Sequence, residues 1–220
     1  MKILNLSEYS SIFNEYLAEI RDEKIQKDSL RFRTNLERFG EIFAYEISKT
    51  MDYKVEDVQT PLGIAKVPRL VQQPVLATIL RAGLPLQQGM LNIFDRAENA
   101  FISAYRKYDE AGHFHIEFEY MASPDLNGKV LIISDPMLAS GSSMEISYSA
   151  MLQKGIPSHV HLVSIIASQQ GVGYVKDRIK ADNVTLWVGA VDEGMTPKSY
   201  IVPGLGDAGD LAFGPKIDSK

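Results

Sequence analysis

The sequence predicts an α/β fold built on a mostly parallel sheet. Three observations carry this expectation. Val75–Leu80, Val130–Ser134, Val160–Ala167 and Val184–Val191 are short, almost wholly apolar runs, as strands buried on both faces require. Stretches with helical spacing lie between them and can serve as crossovers. Only one segment, Gly112–Tyr120, alternates strictly between apolar and polar residues, the mark of a two-sided hairpin strand.

Taken in order, Leu30–Lys49 reads as a helix, because Leu36, Phe39, Ile42, Phe43 and Ile47 recur at three- and four-residue steps. Arg31, Arg33 and Glu37 fall off that face. Gln59–Pro74 holds Pro61, Gly63, Pro68 and Pro74 and predicts turns and short extended pieces. A strand at Val75–Leu80, a helix at Leu84–Phe94 and a strand at Ala100–Tyr105 follow. Val130–Ser134 is a strand, then a loop leads to a helix from about Ser143 to Lys154. Val160–Ala167 and Val184–Val191 are strands, with a helix at Gly173–Lys180 between them. Gly194–Pro215 repeats Gly and Asp too closely for a tail and reads as a shaped loop. Strand order is not readable from one sequence.

Composition narrows the class. With 220 residues, 45% hydrophobic and 23% charged, the chain can bury a core unaided. One domain over 1–220 is expected, with a helical segment at about 1–50 packed on the core. There is no cysteine, which removes disulfides, thiolate metal sites and a cysteine nucleophile together. The formal charge is 23 − 28 = −5, which gives no global pull toward nucleic acid or anionic lipid. No apolar run approaches the roughly 18 residues of a membrane span. Met1–Ser10 lacks a signal-type apolar core and is interrupted by Glu8, so the expected location is the cytoplasm.

Three stretches carry chemistry. In Val130–Ser143 an apolar strand ends in Asp135 and runs through Pro136, Met137, Leu138, Ala139, Ser140, Gly141, Ser142 and Ser143 into a helix. Small residues let backbone N–H groups approach an anion, and a helix N-terminus adds aligned donors. Asp135 stands at the carboxyl end of a strand, where ligands bind in open α/β sheets, and its carboxylate suits ribose hydroxyls. The plainer alternative is a serine-capped helix. In Ala77–Gly83, Arg81 follows a buried strand and could clamp a diphosphate through paired hydrogen bonds, or be a surface arginine. In Tyr200–Asp210, a glycine-rich loop can offer its N–H and C=O groups to a flat ligand, or simply close the domain.

Ile79–Gly83, the pair Tyr105–Arg106, Asp135–Ser143, Tyr200–Asp210 and the terminal F-G-P-K together resemble the uracil phosphoribosyltransferase family in order and spacing, from Arg31 onward. The resemblance implies a parallel-sheet phosphoribosyltransferase core with a hairpin arm. It implies transfer of phosphoribose from phosphoribosyl pyrophosphate (PRPP) to uracil, giving UMP and pyrophosphate. By the same resemblance, the stretch from Asp135 to Ser143, with Ser140–Ser143 on the 5-phosphate, binds PRPP. Arg81 and Arg106 contact pyrophosphate. Ile201, Gly206, Asp207 and Ala208 meet uracil, with Asp207 also facing the donor. Mg²⁺ enters with PRPP rather than on a protein site, the chain forms a homodimer or larger assembly, and GTP is an allosteric effector. Arg81 and Asp207 are the expected catalytic residues. Whether Asp207 acts as base or orienter stays open.

The chain departs from the family pattern at Ser140, which keeps threonine's hydroxyl, and at Ser142, which replaces a glycine. A positive φ at Ser142 would cost about 1 kcal/mol. Ala167–Val172 and the hairpin Lys107–Ser123 also match poorly. The pairs His113/His115 and His159/His161 read as solvated rather than metal-binding, Trp187 as core, and the terminal lysines as solvated. The hairpin near Gly112 is the expected lid. Two rivals are a regulatory protein that binds RNA or a nucleotide without catalysis, and an enzyme taking a purine base.

Overall fold

The chain opens with β1 (Lys2–Asn5), α1 (Ile12–Arg21) and α2 (Ser29–Ser48), followed by a ribbon of β2 (Tyr53–Thr60) and β3 (Gly63–Leu70). Then come β4 (Val75–Ile79), α3 (Gly83–Ile93), β5 (Glu98–Tyr108), β6 (Phe114–Ala122), β7 (Val130–Ser134), β8 (Met137–Leu138), α4 (Ser142–Met151) and β9 (His159–Ser168). The chain continues through α5 (Gln169–Arg178), β10 (Val184–Asp192), β11 (Gly194–Met195), β12 (Ile201–Val202) and α6 (Ala208–Phe213). The computed structural model describes residues 1–108 and 114–216, and side chains other than those of 104–119.

The main sheet runs β1-β10-β9-β7-β4-β5-β6, with β8 beside β9. Its pairs are parallel except for β5 with β6. Successive strand residues face opposite sides. Leu76, Ile132, Val163 and Trp187 pack toward α1, α2 and α3. Their neighbours Val75, Leu131, Leu162 and Leu186 join Met144, Met151 and Val175 of α4 and α5 on the other side. Both faces are therefore covered, which is why the strands read as continuous apolar runs.

The α2 helix begins where Asp28 accepts hydrogen bonds from the Leu30 and Arg31 N–H groups. It buries Phe32, Leu36, Phe39, Phe43 and Ile47. Phe13 of α1 meets Phe39 and Phe43 edge-on at centroid distances of 4.6 and 5.6 Å. Arg31 lies off the buried face and forks onto Glu19 at 2.8 and 2.7 Å.

Several expectations are corrected. Residues 1–5 are not helical: β1 pairs with β10 and extends the sheet. Gln59–Pro74 holds turns and extended chain as expected, but its extended part is one eight-residue strand, β3, paired with β2 rather than several short pieces. Both strands of a two-stranded ribbon are edges, so Pro68 is tolerated within β3. Ala167–Val172 holds a helix start, with the Ser168 hydroxyl capping α5 through the Gly171 N–H at 2.8 Å.

His161 is not solvated, whereas His159 keeps part of its surface in solvent. His161 is 3% exposed and its Nδ1 accepts from the Trp187 indole N–H at 3.0 Å, while His159 Nε2 lies 3.0 Å from Thr185 Oγ1. Trp187 is core, as expected. The expected lid near Gly112, the His113/His115 pair and the Arg106 side chain fall outside the described residues. Among those residues, no helix is long and apolar enough to cross a membrane.

Candidate active site

Two adjoining cavities, of about 490 and 240 Å³, open at the carboxyl edge of the sheet and share Asp135, Met137, Ala139 and Ser199. Each is built by loops that leave strand ends. β4 ends at Ile79 and delivers Arg81, whose peptide bond with Leu80 is cis. β7 ends at Ser134 and delivers Asp135. The C-terminal loop brings Tyr200, Ile201, Gly206, Asp207 and Ala208 to the opposite wall of the larger cavity. Segments more than a hundred residues apart in sequence thus converge on one site.

The smaller cavity is lined by Leu138, Ser140, Gly141, Ser143 and Met144 in addition to the shared residues. Gly141 holds φ +82° and stands at the N-cap of α4. An added Cβ there would lie 2.8 Å from the Gly171 carbonyl oxygen, so both conformation and space favour glycine. The left-handed residue of this loop is Gly141, not Ser142. Ser142 is the first residue of α4 and 6% exposed, and its Oγ sits 3.0 Å from Ser140 Oγ. The feared cost of a serine at positive φ therefore does not arise. Ser142 and Pro136 line neither cavity, and the Pro136 carbonyl accepts from the Ile165 and Ile166 N–H groups.

Asp135 faces both cavities and is half-buried among protein atoms. Burial pushes its carboxyl up to about 7, only partly opposed by the Met137 N–H donating at 3.3 Å. A partly desolvated carboxylate gains from hydroxyl or cationic partners.

Arg81 donates from Nη2 to Asp210 Oδ1 at 3.1 Å and from Nη1 to the Gly214 carbonyl at 3.5 Å. Asp207 caps α6 by accepting from the Asp210 N–H at 3.0 Å, and its Oδ2 lies 3.4 Å from Lys216 Nζ. Gly206, at φ +97°, is followed by Asp207, Ala208 and Gly209, which line the cavity with it.

Sequence reasoning missed Lys216, Ser199 and Ser103. Lys216 was expected to be solvated. It remains more than half exposed, yet it lines the larger cavity, and its place in F-G-P-K was the available signal. Ser199 borders both cavities at φ +62°, and nothing in its sequence context marked it. Among the described residues, no group of three or more His, Cys, Asp or Glu side chains could hold a metal ion.

Comparison with known proteins agrees with this geometry. The family model described as uracil phosphoribosyltransferase matches residues 9–215. A uracil phosphoribosyltransferase of Porphyromonas gingivalis is 56% identical over 217 residues, covering 99% of this chain and 100% of the relative. One from Methanothermobacter thermautotrophicus is 37% identical over 209 residues, covering 94% of each. Among solved structures, the AQ2163 protein from Aquifex aeolicus superposes with a TM-score of 0.83 at 30% identity, covering 96% of this chain and 98% of that one. A family model matched over residues 9–215 and relatives this similar over the whole chain mean that the chain belongs to the uracil phosphoribosyltransferase family.

Proposed function

We propose that the protein transfers the phosphoribosyl group of PRPP to uracil, giving UMP and pyrophosphate in pyrimidine salvage. The observation that carries this reading is the convergence of the Arg81, Asp135–Ser143 and Ile201–Ala208 loops on one pair of joined cavities.

The smaller cavity suits the 5-phosphate. Ser140, Gly141 and Ser143 line it at the N-terminus of α4, where backbone donors and the helix dipole favour an anion. Leu138 and Ala139 form its wall, and Pro136 and Ser142 support the loop from behind. Asp135, at the junction, accepts from the ribose hydroxyls. Arg81 takes the pyrophosphate side, and the family resemblance assigns Arg106 to the same group. Uracil lies against Ile201, Gly206, Asp207 and Ala208.

The anomeric carbon loses pyrophosphate and bonds to a uracil ring nitrogen, whose proton leaves. Asp207 is the acceptor placed to receive that proton or to orient the ring. The remaining task is to hold the reactants in line and stabilise charge on the departing pyrophosphate, which Arg81 suits.

Mg²⁺ fits this site as a companion of PRPP. Asp135 and Asp207 line the same cavity and offer the hard carboxylate oxygens such an ion prefers. When bound, the ion neutralises developing charge on pyrophosphate.

A homodimer or larger assembly, an effector role for GTP and a cytoplasmic location extend the same reading. Family membership supports the first two. The β2–β3 ribbon adds a physical argument for self-association, since Val55, Leu62 and Ile64 are exposed on it and a second copy would cover them.

The test is direct. The protein is mixed with Mg²⁺, PRPP and each free base in turn, and the nucleotide formed is identified. UMP from uracil with stoichiometric pyrophosphate is expected. A nucleotide formed only from a purine, or from no base at all, would overturn the reading.

A further inference from the structure

We infer that Arg21 is a positioning residue for uracil: with Asp192 it fixes the backbone at Gly204, and so sets how Gly206–Ala208 face the cavity. This rests on the placement of uracil at that loop.

Arg21 ends α1, far from the cavity wall in sequence and absent from its lining. Its guanidinium forks onto Asp192 at the carboxyl end of β10, with Nη1–Oδ2 at 2.8 Å and Nη2–Oδ1 at 2.7 Å. Nη1 also donates to the Gly204 carbonyl at 3.0 Å. Asp192 Oδ2 in turn accepts from the Gly204 N–H at 2.9 Å.

Both backbone polar groups of one residue are thus held by a single, partly buried ion pair. Asp192 is 7% exposed. Burial alone would raise its carboxyl, but the bonds from Arg21 and the Gly204 N–H outweigh that and hold it below the usual value. A planar fork fixes orientation as well as distance.

Gly204 is two residues before Gly206, and the intervening Leu205 is buried in the cluster of α1 and α2. The same helical layer grips the loop twice more. The Gln26 amide, oriented with its nitrogen toward the acceptors, donates to the Leu205 carbonyl at 2.7 Å. Arg33 Nη1 donates to the Ala212 carbonyl, at the end of α6, at 2.7 Å. The N-terminal helices therefore hold the carbonyls on either side of the segment that faces the base. A site that reads hydrogen bonds tolerates little displacement.

The test uses the full chain and steady-state kinetics with uracil and PRPP varied separately. Arg21→Ala is expected to raise KM for uracil about 10-fold or more, since small displacements at a site are costly, while KM for PRPP stays within about twofold. Arg21→Lys, which keeps charge but not the fork, should fall between. Amide hydrogen exchange across 201–206 should quicken in both while β7 and β9 stay protected. Asp192→Asn serves as the second route should Arg21→Ala fail to fold. Ala208→Val, inside the loop, is the control.

If Ala208→Val raises KM for uracil and Arg21→Ala does not, the positioning role is overturned and the base site stands. If neither changes it, the base lies elsewhere and the inference falls with its premise. Equal losses toward both substrates, with a lowered melting temperature, would mean that Arg21 only stabilises the fold.

Discussion

Arg81 and Asp210 are joined at the candidate active site, guanidinium Nη2 to carboxylate Oδ1, at 3.1 Å across 129 residues of sequence. The two side chains are 41% and 35% exposed, so solvent screens the pair and it contributes little to stability. It does hold the guanidinium over the cavity, ready to exchange one anion for another. A pyrophosphate that offers two oxygens can displace a single carboxylate contact at small cost.

Arg81→Ala is therefore expected to lower turnover roughly 100-fold or more, the size seen when one charge-stabilising donor is removed. The melting temperature should change little. Steady-state rates and a thermal scan on the same preparation decide it. A folded variant with near-normal turnover would remove Arg81 from the reaction.

Asp135 should make stability and function pull apart. Its carboxyl is pushed up to about 7 by burial, whereas an unfolded aspartate titrates near 3.9. Between those values the folded chain binds a proton that the unfolded chain lacks. Its contribution to stability accordingly falls as pH rises from about 4 to about 7, and is level above. Asp135→Asn removes that slope. At pH 8 the ligand-free variant should melt roughly 2–8 °C higher than the parent, about 1–2 kcal/mol in a chain this size. Near pH 4 the difference should close, and KM for PRPP should rise. A melting difference that does not vary with pH would show an ordinarily ionised carboxyl.

His161 predicts the opposite slope. Burial, with His159 adding repulsion at 4.6 Å between ring centroids, lowers His161 to about 3. Unfolded histidine titrates near 6.5. The neutral ring's contribution is present above pH 6.5 and is lost as pH falls toward 3, because only the unfolded chain gains the proton. His161→Gln cannot titrate. It should be less stable than the parent at pH 7, from the disturbed contact with Trp187, and that gap should narrow by pH 4.5. Trp187 is the only tryptophan, so its fluorescence follows the transition in both chains. A constant gap across that range would show that His161 titrates normally.

How much of this was legible depends on how local each signal is. Leu36, Phe39, Phe43 and Ile47 announce α2 by spacing alone, and Val130–Ser134 announces β7 because both of its faces are covered. Asp135 and Arg81 were legible because a strand end followed by small residues is a local pattern. β1 was not, since four residues become a strand only by pairing with β10. The β2–β3 ribbon was hidden by its prolines, which mean less at an edge than in a central strand. His161 and Arg21 were invisible for one reason: their roles depend on partners 26 and 171 residues away. Lys216 stands in the F-G-P-K motif, but its contact with Asp207 depends on the fold of the C-terminal loop and could not be read from that motif alone.

The last prediction concerns base selectivity. Asp207 lines the cavity beside Ala208 and Gly209, the first residues of α6, whose N–H groups have no acceptor within the helix. Uracil presents an acceptor at O4, a donor at N3 and an acceptor at O2. A loop that presents N–H, C=O and N–H in that order would match that edge. Cytosine places an amino donor at C4 and a bare acceptor at N3, so two contacts of like polarity would face each other. Each buried polar group left unpaired costs about 1–3 kcal/mol, and sites that read hydrogen bonds can reject a mismatched ligand by roughly 10⁴-fold. Strong use of uracil and negligible use of cytosine are expected, with 5-fluorouracil accepted because its change at C5 leaves that edge intact. The measurement is kcat/KM for the three bases at saturating PRPP. Comparable values for cytosine and uracil would show that the Gly206–Ala208 loop does not read the pyrimidine edge, and the base would have to be placed against another wall of the cavity.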